Sequence, residues 1–310
     1  MQARGWMGKI IISGASGAFG RAAAELLLDR IARHEVILLT RTPARLADLA
    51  ARGADVRFAD FDDPSSLPGA MEGGQKMLLI STARVGTRVG QHRNAVEAAV
   101  AAGVRHIVYT SIIAADQPCN PAIVKHDHRA TEEIIEGSGT SWTHLRDSQY
   151  AEAIAGPMTI PALMAGRKPD NCGDGPVAFV SRADCVATAV GVLTQPGHEN
   201  QAYVLTGPEL ITIPQAMAMA SEIAGKPIVV SQVDDEAMFA YFDALGAPRH
   251  ASDIVPDGPI PWSSDDMVTF GQAIREGYFA ERTDWVERIT GRKPKTLREV
   301  MLAHKGSWPL

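Results

Sequence analysis

The first half of the chain alternates short apolar runs with segments of helical pattern, and this alternation most constrains the fold. The apolar runs are at 9–13, 36–40, 56–59, 76–80, 104–110 and 141–145. The predicted helices between them are at 21–33, 43–51, 64–71, 88–102 and 127–136. Continuous apolar strands separated by helices indicate a parallel sheet that is covered on both faces. We therefore predict an α/β fold with a doubly wound parallel (Rossmann) sheet, which binds ligands beyond the carboxyl ends of its strands.

The regular alternation stops at Tyr150. Glycine and proline then interrupt the chain at 156–157, 160–161 and 169–176, which is typical of loops and short elements. Further helices are predicted at 183–193, 214–224, 234–245 and 285–289. We expect a sheet domain over 1–150 and a smaller, mostly helical lobe over 151–310, in which about 177–206 returns to the sheet. This lobe would form the substrate pocket over the carboxyl edge of the sheet.

Charge and composition restrict the partners of the chain. The formal net charge is −6, and the lysines and arginines are dispersed among acids, so no surface for nucleic acid is predicted. No apolar run approaches the ~18 residues of a membrane helix, so no membrane partner is expected. The cysteines at 119, 172 and 185 lack the spacing of a zinc module or a disulfide framework, which fits a reducing cytoplasm. Residues 1–6 show no signal-peptide pattern and are interpreted as a lead-in to the first strand.

A glycine motif lies between the first predicted strand and the first predicted helix. Its spacing is GxxGxxG, the variant typical of short-chain dehydrogenase-like proteins. Glycine lets a pyrophosphate approach the backbone N–H groups of a helix N-terminus, because no side chain is in the way. A tight turn would also need glycine, but the position at the first strand–helix junction favours dinucleotide binding. The expected contacts are Gly14, Ser16, Gly17, Ala18, Phe19 and Gly20.

The second predicted strand is followed by Arg41, where NAD-specific proteins usually have an acid for the ribose 2′-hydroxyl. Arg45 follows one helical turn later. A guanidinium can pair with a 2′-phosphate, a contact that is unavailable to NAD. NADP(H) is therefore the expected cofactor. The alternative is that Arg41 is a solvated surface arginine.

The tips of three further strands carry candidate cofactor residues. Asp60 and Phe61 follow the third strand, where Asp60 could accept a hydrogen bond from the adenine amine. Alternatively, Asp60 caps the helix that follows. Ser81 and Thr82 follow the fourth strand, and Thr110 ends the fifth. Small residues at these tips would let the nicotinamide ribose approach the backbone.

The proton donor of ordinary short-chain dehydrogenases is missing, because no tyrosine is followed four residues later by lysine. This disfavours reactions that need strong protonation of a carbonyl oxygen, and it favours electrophilic acceptors such as quinones or cationic dyes. His128 follows the fifth strand, where it could reach the nicotinamide and supply a proton. The alternative is a polar helix start capped by Asp127, with exposed histidines. A metal site at His126 and His128 is not expected, because residues two apart point away from each other on a helix.

Together these stretches resemble the NmrA-like atypical short-chain dehydrogenase/reductases, a family that includes bacterial quinone oxidoreductases of type 2 and triphenylmethane reductases. The resemblance runs from Gly14 to about Gly225. The matching stretches are 14–20, 40–45, 76–86, 91–110, 128–132, 145–150, 173–184 and 197–207. The family implies further NADP(H) contacts from Arg182 and from the loop at 145–150.

The loop at 145–150 departs from the family pattern. Relatives usually have Leu-Arg-Asn-x-x-Tyr, whereas this chain keeps Tyr150 but has Asp147 in place of the asparagine. It also has Ser148 and Gln149 where the quinone reductases have a glycine and an aromatic residue. Asp147 and Tyr150 are candidate catalytic residues together with His128. These departures bear on the substrate more than on the cofactor.

The resemblance implies an NADPH-dependent reductase that transfers a hydride to a small aromatic, quinonoid or otherwise electrophilic molecule. One alternative is an NmrA-type regulator, which binds NADP(H) without turnover and signals redox state to a protein partner. Another is a plant-like reductase of benzylic ethers that uses His128 in place of lysine. Analogy of fold does not separate these functions. The protein is expected to be a monomer or a homodimer.

Overall fold

The structure, a computed structural model, describes residues 8–254, 260 and 262–310, and the expected lead-in at 1–6 lies outside them. The strands are β1 (Lys9–Ile12), β2 (Val36–Thr40), β3 (Asp55–Phe58), β4 (Gly74–Leu79), β5 (His106–Ile112), β6 (Ser141–Asp147), β7 (Arg167–Asp170), β8 (Pro176–Val177), β9 (Gln201–Leu205), β10 (Ile211–Thr212) and β11 (Val229–Gln232). The helices are α1 (Ala18–Leu28), α2 (Ala47–Ala51), α3 (Leu67–Met71), α4 (Arg88–Ala101), α5 (Val124–Glu136), α6 (Ala151–Ala153), α7 (Thr159–Ala165), α8 (Arg182–Thr194), α9 (Ile213–Ala224), α10 (Asp235–Ala244), α11 (Ser264–Arg275), α12 (Trp285–Thr290) and α13 (Leu297–His304). In the described ranges, no helix combines the length and apolar character needed to cross a membrane.

Seven of the strands form one parallel sheet in the order β3-β2-β1-β4-β5-β6-β9. The direction of winding reverses between β1 and β4. Doubly wound sheets bind ligands at this switch point, beyond the carboxyl ends of the strands. The predicted fold class is confirmed, and β1 to β6 begin and end within about two residues of the predicted positions.

Helices cover both faces of this sheet, and its inner strands are apolar for that reason. All five residues of β2 are buried. On one face, α1 and α8 pack over Leu78 and Leu145. On the other face, α3, α4 and α5 pack over Met77 and Tyr109. Alternate residues of each strand therefore belong to different cores.

The chain beyond β6 forms a smaller, mostly helical lobe and returns one segment to the sheet. The returning segment contains α8, which packs on α1, and β9, which pairs with β6. The lobe also holds two small sheets, β7 with β11 and β8 with β10. Its helices α11 and α13 are absent from the sequence prediction. Both are held by residues buried in the core of the lobe, Ile274 on α11 and Met301 on α13.

The glycine and proline at 156–157 lie in a helical stretch, although the sequence predicts a loop there. The backbone between α6 and α7 is a π-helical segment, Ile154–Met158, with Pro157 inside it. Thr159 Oγ1 donates a hydrogen bond to the carbonyl oxygen of Ile154 at 2.7 Å. The wider π-helical turn accommodates Pro157, and the Thr159 hydroxyl adds a bond to the backbone of that turn.

Candidate active site

A groove of about 980 Å³ lies at the switch point, beyond the carboxyl ends of β1, β2 and β4. Twelve of the fourteen predicted cofactor residues line it, namely Gly14, Ser16, Gly17, Ala18, Phe19, Gly20, Arg41, Arg45, Asp60, Phe61, Ser81 and Thr82. The fold therefore brings the glycine motif and the tips of three other strands to one surface.

The glycine motif leaves the N-terminus of α1 open to a ligand. Gly17 precedes the helix, and no side chain of the described residues caps it. Gly14 has a φ of +57°, a left-handed conformation that favours glycine. A Cβ on Gly20 would lie 2.5 Å from the carbonyl oxygen of Gly14, so loop and helix approach too closely for a side chain. Backbone N–H groups at such an uncapped helix end are donors for an anion.

The end of β2 adds positive charge to the same groove. Thr40 Oγ1 donates to Ser16 Oγ at 2.8 Å, which ties β2 to the glycine motif. Arg41 and Arg45 follow and are exposed. Among the residues that the structure describes, neither guanidinium has a hydrogen-bond or ion-pair partner. Both charges are therefore available to a phosphate.

Asp60 lines the groove and does not cap the helix that follows, which corrects the alternative interpretation. Its Oδ1 accepts from the N–H of Asp62 at 3.0 Å. The cap of the short helical turn at Pro64–Ser66 is Asp63, whose side chain accepts from the N–H of Ser65. Asp60 therefore shapes its own loop, at the end of the groove formed by β3.

Thr110 and Arg182, the other two predicted cofactor residues, lie outside the groove lining. Thr110 is buried, and its Oγ1 accepts from the N–H of Ser81 at 2.9 Å, so it supports the groove from below. Arg182 begins α8, and its guanidinium carbon lies 5.4 Å from the centre of the Tyr150 ring. Arg182 therefore contacts a candidate catalytic residue.

The carboxyl end of β6 carries a buried acid. Asp147 is 5% exposed, and Tyr150 Oη donates to its Oδ2 at 2.7 Å. Burial raises the pKa of Asp147 to about 7, although the bond from Tyr150 opposes the shift. Burial and the nearby Asp147 raise the pKa of Tyr150 well above its ordinary value, and they do the same for the buried Cys185 thiol. Of these three groups, only Asp147 exchanges a proton near neutral pH.

Three consecutive residues at the end of β6 hold buried polar atoms without a partner in the described chain. These atoms are Asp147 Oδ1, Ser148 Oγ and Gln149 Oε1. A buried polar atom left unpaired costs about 1–3 kcal/mol, unless water or a ligand pairs with it. None of these three residues lines the groove.

His126 is exposed but His128 is buried, so the alternative of a polar helix start with both histidines exposed is wrong for His128. The helix α5 begins at Val124, so Asp127 lies within its first turn and is not its cap. The Nδ1 of His128 lies 2.9 Å from Tyr109 Oη, and its Nε2 lies 3.1 Å from Arg88 Nη1. Burial, together with the charge of Arg88, holds the pKa of His128 well below its ordinary value. His128 is therefore neutral at neutral pH.

A second buried acid, Glu132, belongs to an ion-pair network outside the groove. Arg129 and Arg146 pair with Glu132 at 3.1 and 2.9 Å, and Arg129 also pairs with Glu136 at 3.2 Å. Glu132, Glu136 and His144 are close enough together to hold a metal ion. The two arginines already neutralise the carboxylates, so the arrangement does not call for a cation.

Several groove residues were not predicted from the sequence. They include Leu39, Thr42, Ala59, Asp62, Ile80, Arg84, Gln91 and Ile254. Those at strand ends, such as Ile80, already lie at the carboxyl ends of predicted strands, where ligands bind in this fold, so that rule could have identified them. No local pattern marks Gln91 or Ile254, because they reach the groove from α4 and from the lobe.

A doubly wound sheet with an open, glycine-rich helix N-terminus at its switch point defines a dinucleotide-binding Rossmann protein. The family model described as NAD(P)H-binding matches residues 14–196, which is more than half of the chain. The chain belongs to this NAD(P)H-binding family, and the expected class of cofactor is confirmed.

Individual relatives narrow the comparison. The chain is similar to quinone oxidoreductase 2 of Escherichia coli, with 34% identity over 269 residues, covering 86% of this chain and 93% of that protein. It is similar to the crystal structure of NADPH-dependent quinone oxidoreductase from Escherichia coli complexed with NADPH (32% identity, TM-score 0.85, covering 95% of this chain and 99% of that one). It is also similar to triphenylmethane reductase of Citrobacter sp. complexed with NADP(H) (28% identity, TM-score 0.83, covering 96% and 100%). The predicted resemblance to the NmrA-like reductases is confirmed.

Proposed function

We propose that this protein is an NADPH-dependent reductase that transfers a hydride to a small aromatic, quinonoid or otherwise electrophilic acceptor. The observation that carries the proposal is the groove. It contains a helix N-terminus and two arginines that no side chain of the described residues caps or pairs with, at the position where a dinucleotide phosphate would bind. The relatives named for quinones and for triphenylmethane substrates support the class of acceptor. Bound NADPH would supply the hydride.

Each part of the groove is assigned to one part of NADPH. In this proposal the N–H groups at Gly17–Gly20 bind the pyrophosphate. Arg41 and Arg45 bind the 2′-phosphate through charge-assisted hydrogen bonds, and this contact gives the preference for NADPH over NADH. Asp60 borders the adenine, and the loop that contains Ser81 borders the nicotinamide ribose.

Asp147 is proposed as the source of the proton that a quinone acceptor takes up with the hydride. Its pKa of about 7 keeps part of the carboxyl protonated at neutral pH. Oδ2 accepts from Tyr150, and Oδ1 is left to carry the proton. His128 is neutral and bonded to Arg88, so its proposed contribution is orientation. Modest acid assistance suits an electrophilic acceptor, for which positioning supplies most of the rate.

The proposed setting is the cytoplasm, with a monomer or homodimer as the working form. All three cysteines are free, and Cys172 and Cys185 are buried, which supports a reducing compartment. Light scattering of the purified protein would determine the oligomeric state.

The oxidation of NADPH in the presence of a panel of quinones and cationic triphenylmethane dyes tests the proposal. We expect steady turnover with at least one acceptor, and faster turnover with NADPH than with NADH. Binding of both NADPH and NADP⁺ with no turnover on any acceptor would contradict the proposal and favour the NmrA-type regulator.

A further inference from the structure

The loop between β4 and α4 lines the groove, and side chains from two helices bind its backbone. His92 of α4 accepts from the N–H of Thr82, with 3.1 Å between Nε2 and N. Asp127 of α5 accepts from the N–H of Gly86, with 2.6 Å between Oδ2 and N. The loop is thereby held near both of its ends. Neither His92 nor Asp127 lines the groove.

Hydrogen bonding assigns His92 one tautomer and connects the two ends of the loop. A backbone N–H can only donate, so Nε2 of His92 is the acceptor and Nδ1 carries the proton. Nδ1 then donates to Thr131 Oγ1 at 2.8 Å. The Thr131 hydroxyl in turn donates to the backbone carbonyl of Asp127 at 2.8 Å. Hydrogen bonds therefore link Thr82 through His92 and Thr131 to Asp127. The carboxylate of Asp127 in turn accepts from the N–H of Gly86.

Arg88 adds a second connection to the middle of the loop. Its Nη2 donates to the carbonyl of Ala83 at 3.4 Å, and its Nε lies 3.5 Å from Asp127 Oδ2. Its Nη1 donates to Nε2 of His128, because a guanidinium has no acceptor. Nδ1 of His128 then donates to Tyr109 Oη at 2.9 Å. All of these side chains are buried, including that of Arg88.

Burial keeps these histidines in the acceptor form that the loop requires. His92 has no exposed surface, and burial, aided by the charge of Arg88, lowers its pKa to about 3. A protonated Nε2 could not accept from Thr82. The connection is therefore stable over the whole neutral range of pH.

We propose that His92 and Arg88 are positioning residues for NADP(H), which hold the loop at 81–87 in the form that binds the nicotinamide half of the cofactor. This inference rests on the proposed function. Without these bonds the loop has free N–H groups and several backbone conformations, and cofactor binding has to restrict them again. Loss of the hydrogen bonds to this loop should therefore lower the affinity for NADPH by a larger free energy than it lowers the stability of the fold.

The test compares His92→Leu with a matched buried histidine. His106, at the amino end of β5, is 3% exposed and lies 2.8 Å from Thr143 Oγ1 through its Nε2, but it does not line the groove. His92→Leu and His106→Leu each remove one buried hydrogen-bonding ring. NADPH affinity is measured by fluorescence titration and stability by thermal unfolding. In parallel, KM for NADPH and kcat are measured with one quinone.

We expect His92→Leu to weaken NADPH binding by about tenfold or more, the loss expected for one or two hydrogen bonds. The effect should appear in KM for NADPH more than in kcat. His92→Gln, whose amide oxygen can accept from Thr82, should recover most of the affinity. His106→Leu should lower the unfolding temperature and leave the affinity unchanged.

If the two leucine variants unfold at the same temperature and both bind NADPH as tightly as the wild type, the positioning role is overturned. The proposed function would then still stand. Wild-type protein that does not bind NADPH would overturn both. If His92→Leu does not fold, Thr131→Val gives the same test, because it keeps the shape of the side chain and removes the acceptor of His92. Unchanged affinity in that variant would also overturn the inference.

Discussion

Tyr150 donates a hydrogen bond from its Oη to Asp147 Oδ2 at 2.7 Å, at the point where β6 ends. The Tyr150 ring packs against the apolar core beneath α8, so little water reaches the carboxyl group. Burial raises the pKa of Asp147 to about 7, and its charge therefore changes within the neutral range. Both stability and reactivity should depend on pH through this one residue.

Asp147→Asn should stabilise the protein at alkaline pH. The native pKa of about 7 lies above the ordinary 3.8, so the stability from the bound proton is complete at low pH and is lost as the pH rises through 7. Asparagine keeps the shape and removes the buried charge. We expect its gain in unfolding free energy to be about 3 kcal/mol larger at about pH 8.5 than at about pH 5.

Urea denaturation at the two pH values measures this difference. The control is Asp174→Asn at an exposed aspartate, which should have the same small effect at both. An equal effect of Asp147→Asn at both values would show that Asp147 titrates in the ordinary range.

Arg41→Ala should reduce the affinity for NADPH and leave the affinity for NADH nearly unchanged. The guanidinium is exposed at the groove and would bind only the 2′-phosphate. A loss of about 2 kcal/mol, or about thirtyfold in Kd, is expected for a charge-assisted contact. Fluorescence titration with both cofactors measures it, with Arg30→Ala, an exposed arginine outside the groove, as the control. An equal loss for NADPH and NADH would mean that Arg41 serves the fold.

Gly17→Val should give a folded protein that no longer binds NADPH. Gly17 has φ −80° and ψ 166°, a conformation that valine tolerates, and the added Cβ would lie 3.3 Å from the carbonyl oxygen of Gly14. The β-branched side chain would occupy the space of the pyrophosphate. Circular dichroism and NADPH titration test both parts. Gly20→Val should unfold the protein instead, because its Cβ would lie 2.5 Å from the same oxygen. Retained affinity in Gly17→Val would place the pyrophosphate elsewhere.

His128→Ala should lower turnover by at most about a hundredfold, the low end for loss of an acid catalyst. The neutral His128 orients Arg88 and holds no labile proton for the acceptor, so the loss should be similar for a neutral quinone and a cationic dye. Steady-state kinetics of both reactions, with wild type and variant, measure the ratio. A much larger loss with the quinone would identify His128 as a proton donor, since the cationic dye needs no proton.

The elements that were predicted well are those whose cause is local. A short apolar run that alternates with helical segments, such as that of β2, indicates a strand buried on both faces, and its bounds in the structure are the predicted ones. By contrast, the helix α11 was missed because it depends on burial of residues such as Ile274 in the core of the lobe. Gln91 and Ile254 were missed for the same reason, since they reach the groove from distant parts of the chain.

The sequence by itself determined the alternation of strands and helices, the glycine loop and the arginine that follows β2, because each depends on residues adjacent in the chain. The strand order, and with it the switch point between β1 and β4, depends on tertiary pairing. Only the tertiary structure decided the protonation of the site. His128 is neutral because it is buried between two helices and because Arg88, 40 residues away, donates to it there. Asp147 titrates near neutrality because surrounding elements exclude water from it. The pKa of a side chain depends on its solvation and on contacts with residues distant in sequence, and neither can be predicted from the neighbouring residues in the chain.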